Sequence, residues 1–191
     1  MSKTPLVGRV EITVVDKTGR VIKSSRPNTV IVDASRVLLA QLIPSSLTSN
    51  NSVIPRSGRP DVEIPSTGPN SGNSIAYLIV GYTTGDSVPD GAAATNLDTE
   101  MVSDNTYIAK LQTLEVSSNS LTFGVAINVT SETSNRKYFE AALYTAGPDN
   151  TSIPDSPNVE NMLMFAHQVH SLVSAPEGST INYSWTIAIP E

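Results

Sequence analysis

The chain has 191 residues, a formal charge of −6, 16% charged residues and no cysteine. The acidic balance, with no cluster of Lys or Arg, argues against nucleic acid, whose phosphates demand cations. The missing thiols exclude a disulfide framework and a thiolate metal site. No apolar run approaches the ~18 residues of a membrane span and no charged-then-apolar leader opens the sequence, so the reading is one domain over 1–191.

Residues 6–15 alternate, with Val10, Ile12 and Val14 on one side and Arg9, Glu11 and Thr13 on the other, which predicts a half-buried strand. Asp16-Lys-Thr-Gly19 follows as a turn with glycine where a positive φ is wanted, and 20–24 returns to complete a hairpin. A short strand at 28–32 leads to a helix over 36–43, capped by Asp33 or Ser35, with apolar residues at 38, 39, 42 and 43 and Pro44 as its stop.

Between Pro44 and Asn73 periodicity disappears and five prolines occur (Pro44, Pro55, Pro60, Pro65, Pro69). Loops longer than ~12–15 residues are typically functional or disordered, so 44–73 is expected to be a contact arm. Its order Val-Ile-Pro, Val-Glu-Ile-Pro suggests an extended strand or polyproline path. Val53, Ile54, Val62 and Ile64 are the expected apolar contacts. Arg56 and Arg59 are the expected partners for a neighbour's carboxylates, because an Arg fork suits bidentate pairing.

Ile75–Tyr82 is nearly continuous in apolar residues, the mark of a central strand covered on both faces. After a second polar loop, 107–116 and 121–129 form another hairpin, strands follow at 138–145 and 162–172, and Pro176-Glu-Gly178 turns into the final strand at 181–189. The fold class is all-β: an antiparallel β-sandwich or jelly-roll-like barrel of about nine strands, one short helix and long polar loops.

Little in the chain specifies chemistry. His167 and His170 are three apart on a strand and face opposite sides, so they do not share a metal; one is expected half-buried and the other at the rim. Asp86, Asp90, Asp98, Glu100 and Asp104 crowd one loop but match no twelve-residue calcium loop. No G-x-S-x-G or H-E-x-x-H occurs, and Gly81-Tyr-Thr-Thr-Gly85 opens no helix that would cradle phosphate. No catalytic residue, cofactor or metal is assigned. The aromatics Tyr77, Tyr82, Phe123, Tyr138, Phe139, Tyr144, Phe165, Tyr183 and Trp185 read mostly as core.

Several blocks, taken in order, resemble a group of virion structural proteins from tailed bacteriophages. They are Gly8-Arg-Val-Glu-Ile-Thr-Val-Val-Asp-Lys-Thr-Gly19-Arg20, Asn28–Ala40, Tyr77–Gly85, Pro89 with Leu97-Asp-Thr-Glu100, Phe139-Glu140-Ala-Ala-Leu143-Tyr144, Met164-Phe-Ala166-His167 and Ser184-Trp185-Thr-Ile187. Their order over most of the chain carries the likeness, since each block alone is weakly specific. The group's pattern has a Gly-Thr-Gly-like turn, an acidic residue before Gly-Leu-Phe and a closing Trp-x-Ile strand. Here Tyr82 interrupts the turn, Ala142 stands for the glycine before Leu143, and the 44–73 loop is unusually long.

The resemblance implies a non-enzymatic role in the virion, assembled in the host cytoplasm. The favoured expectation is a capsid decoration or cement protein that binds the major capsid protein, as a homo-oligomer within a symmetric particle, with neither nucleic acid nor membrane as partner. A tail, baseplate or fibre-attachment component is the alternative within that class. From another class comes a carbohydrate-binding β-sandwich module, which would keep two or more aromatics exposed together.

Overall fold

A computed structural model describes residues 7–31, 52–54, 62–64, 75–88, 101, 103, 105–116, 120–145, 162 and 164–188. Among them run β1 (Val7–Val15), β2 (Val21–Ser25), β3 (Asn28–Ile31), β4 (Ser52–Ile54), β5 (Val62–Ile64), β6 (Ile75–Thr83), β7 (Thr106–Lys110), β8 (Thr113–Val116), β9 (Ser120–Asn128), β10 (Lys137–Thr145), β11 (Met164–Val173) and β12 (Thr180–Ala188). No helix occurs among the described residues; the one expected over 36–43 lies outside them.

The protein is an all-β sandwich of antiparallel strands. One sheet runs β2-β1-β12-β9-β8 and the other β7-β6-β10-β11-β3. Both turns that the sequence marks with glycine hold it at positive φ, +86° at Gly19 and +80° at Gly178, where a Cβ would be strained. In the first turn the Asp16 carboxylate accepts from the Thr18 and Arg20 amides at 2.8 and 3.0 Å, so side chain and glycine together reverse the chain.

Two bent segments join the sheets. Arg26 and Pro27 interrupt the strand path between β2 and β3, and Pro27 has no N–H to donate to a ladder. Beyond them β3 pairs with β1 through Asn28 and Thr29, and with β11 through Val30 and Ile31. At the other edge the Leu111 amide donates to Ala76 of the second sheet, and the next amide, Gln112, donates to Gly124 of the first, both at 2.9 Å. This corner divides the single strand expected over 107–116 into β7 and β8.

The core lies between the sheets. Val10, Ile12 and Val14 of β1, Phe123, Val125 and Ile127 of β9, and Ile181, Tyr183, Trp185 and Ile187 of β12 are buried on the same alternation the sequence displays. In the second sheet β10 is buried at every residue from Tyr138 to Thr145, so both its faces are covered. Within the expected 44–73 loop, β4 and β5 pair only with each other, Val53 opposite Glu63 and Ile54 opposite Val62. β-branched residues favour that pairing.

Candidate functional site

The buried ionisable groups gather on β10 and β11. Opposite β6, Tyr138 faces Tyr82 and Glu140 faces Gly81, so Phe139 is an extra residue, a β-bulge. The bulge shifts the alternation by one. Tyr138 meets Tyr82 edge-to-face with ring centroids 5.9 Å apart, while Glu140 turns to the opposite face of the sheet.

There Glu140 is fully buried, and its Oε1 accepts from His167 Nε2 at 2.6 Å. Its Oε2 accepts from the Ser103 amide at 3.0 Å. Gly81 makes room for this contact: a Cβ there would lie 2.6 Å from Ser103 Cβ and 2.7 Å from Glu140 Oε2. The buried carboxyl is therefore hydrogen-bonded at both of its oxygens, the condition under which such polar groups are tolerated inside a protein.

The second histidine does something different. His170 Nδ1 lies 2.9 Å from the Ser171 carbonyl, which can only accept, so Nδ1 carries the proton of the neutral ring. Nε2 is then an acceptor, and the Tyr183 hydroxyl donates to it across the core at 3.4 Å. Burial holds the His170 pKa down at about 4, and burial pushes the Tyr183 phenol far above its usual range. Burial also raises Tyr138.

The two rings face opposite sides of β11, as the spacing required. Their burial is greater than expected: His167 is 1% and His170 6% exposed, so neither sits at a rim. Their strand is sandwiched between the core and a second cover that includes Ser103, which periodicity on β11 alone does not reveal.

The chemistry open to this arrangement is limited by how the atoms are used. Ser103 Oγ is directed to the backbone carbonyls of Tyr82 and Asn105, at 3.2 and 2.7 Å, rather than to an imidazole. A nucleophile–base hydrogen bond, which serine activation requires, is not formed between Ser103 and either histidine. No group of three or more metal-ligating side chains occurs among the described residues. Asp86 of the acidic loop is exposed and pairs with Lys137, while Asp90, Asp98, Glu100 and Asp104 lie outside the described residues.

All six tyrosines, all three phenylalanines and the single tryptophan are buried or half-buried. Tyr82 and Tyr107 are the half-buried ones, and the Arg136 guanidinium sits over the Tyr82 ring at 4.4 Å from its centroid. No paired exposed aromatics remain to stack on a sugar. Of the expected contact residues, Val53 and Ile54 fall on β4 and Val62 and Ile64 on β5, whereas Arg56 and Arg59 lie outside the described residues.

No local pattern joins Glu140 to a histidine 27 residues away. The one available signal was a carboxylate inside the apolar run 138–145, where an unpaired charge would be costly. Comparison of the chain with known protein families, characterised proteins and solved structures finds no match.

Proposed function

We propose that the chain is a structural component of a bacteriophage virion, a capsid decoration protein that binds the major capsid protein and stabilises the shell. The observation that carries this reading is spatial. Three separate blocks of the phage-like pattern supply Gly81, Glu140 and His167, and these meet in one buried contact. Blocks that converge on a packing contact behave as the signature of a fold, which is how the likeness to virion proteins would arise without a shared reaction.

Two further features support a scaffold. The sheets are joined along both edges by bent segments, which stiffens the body that would carry contact loops. The aromatics are spent on packing, which disfavours a sugar-binding platform. Decoration multiplies modest contacts by particle symmetry, so avidity does not require one very tight interface. Each contact would bury about 800 Å² per partner.

The 44–73 arm is the part assigned to partner contact. The β4–β5 hairpin forms its own two-stranded sheet, so deleting 50–70 removes no strand of the main ladder. The deletion variant should fold, remain soluble and fail to bind shells that lack the protein. Wild-type occupancy by this variant would overturn the role of the arm. Shells without the protein should break at lower temperature; unchanged shell stability with lost infectivity would transfer the protein to the tail.

A further inference from the structure

The seam between β2 and β11 is closed by side chains where the backbone ladder does not close it. β3 pairs with β11 only at Ala166 and His167. Beyond that point Lys23 Nζ reaches across from β2 to the Leu172 carbonyl at 2.7 Å, and Tyr183 reaches His170 through the interior. Just below these contacts two polar atoms are stranded. Trp185 Nε1 and Gln168 Oε1 are buried and find no protein partner among the described residues.

Topology sets their two residues at one level on facing strands. Successive antiparallel pairings through β3 and β1 make β12 antiparallel to β11. From the His170–Tyr183 contact, two residues back along β11 reaches Gln168, and two residues forward along β12 reaches Trp185. Both share the inward face of their strands with that contact. The Gln168 amide nitrogen is already committed to the Val169 carbonyl, which orients the amide and leaves its oxygen free.

An indole N–H can only donate and a free amide oxygen can only accept, yet they do not bond to each other. Leaving both unmade inside the core would carry a desolvation penalty for each. We propose that Trp185 Nε1 and Gln168 Oε1 form a binding site for an ordered water molecule that bridges the two sheets. Its oxygen accepts from the indole and one of its hydrogens donates to the amide oxygen; a small neutral molecule carrying both functions is the chemical class the site takes. Gln168 as a residue is half-buried, while its Oε1 and the Trp185 Nε1 are closed off from solvent. Buried waters characteristically occupy such places, held by polar groups that have no protein partner.

The single tryptophan makes the site directly observable. In the full-length ¹⁵N-labelled protein, water-selective NOE and ROE spectra should show a cross-peak between water and the Trp185 indole N–H, with the signs of a long-lived bound water. The cross-peak should vanish in Gln168→Leu while the indole resonance stays dispersed. It should persist in Tyr138→Phe and in Tyr183→Phe, each of which removes a buried hydroxyl able to relay exchange. Absence of the cross-peak in the wild type, or its survival unchanged in Gln168→Leu, would overturn the proposal. If Gln168→Leu does not fold, a crystal structure of the wild type decides. Density within about 2.7–3.2 Å of both atoms supports the site, and a dry contact refutes it.

Discussion

Acidification should destabilise this fold through His170. Burial holds its pKa at about 4 against an ordinary 6.5; the Ser171 carbonyl and Glu140 oppose the depression and the Lys23 ammonium deepens it. In the unfolded chain the ring takes up a proton near pH 6.5, and in the folded chain only near pH 4. Between these values the unfolded state binds more protons, so stability is intact above the window and falls as the pH falls through it. At about 1.36 kcal/mol per pKa unit the whole displacement is worth about 3 kcal/mol, of which about 2 kcal/mol is lost by about pH 5. With a urea slope of ~2 kcal/mol/M, the unfolding midpoint should drop by about 1 M from this group alone. The assay is urea unfolding followed by tryptophan fluorescence, near neutrality and at about pH 5, for wild type and His170→Gln. Other titrating groups act on both proteins, so the difference between the two drops isolates His170. The variant should lose about 1 M less than the wild type. Equal drops would refute the linkage.

Trp185→Ala removes the largest fully buried side chain and should cost about 3–5 kcal/mol in unfolding free energy. A wild-type emission spectrum typical of water-exposed indole would contradict the burial on which that figure rests. Glu140→Ala strips both His167 Nε2 and the Ser103 amide of their acceptor and should cost about 3–5 kcal/mol by calorimetry or denaturant; Glu140→Gln, which keeps the shape and one acceptor, should cost clearly less. Gly81→Ala forces a Cβ against Ser103 and Glu140 and should cost about 1–3 kcal/mol. Gly124→Ala meets chiefly the hydroxyl of exposed Thr113, which can rotate away, and should be milder in the same denaturant assay.

Local periodicity and turn chemistry are legible along the chain before any packing is known. Alternation along 6–15, 121–129 and 181–189 identified strands and their buried faces, because side chains on a strand point alternately to its two sides. Gly19 and Gly178 marked reversals because only glycine takes their φ without strain. The continuous apolar run at 75–82 announced a strand covered on both faces. The spacing of His167 and His170 already placed them on opposite faces.

Tertiary structure decided whatever depends on residues distant in the chain. The corner at Leu111–Gln112 was hidden inside a run that reads as one strand, because the switch is set by which carbonyl each amide finds, Ala76 or Gly124. The bulge at Phe139 depends on registry with β6 and β11, and it alone turns Glu140 toward His167. Periodicity specifies which face of a strand is buried but not what covers it. Hence the sequence reading left the histidines partly exposed, while packing encloses both and gives one a carboxylate and the other a phenol.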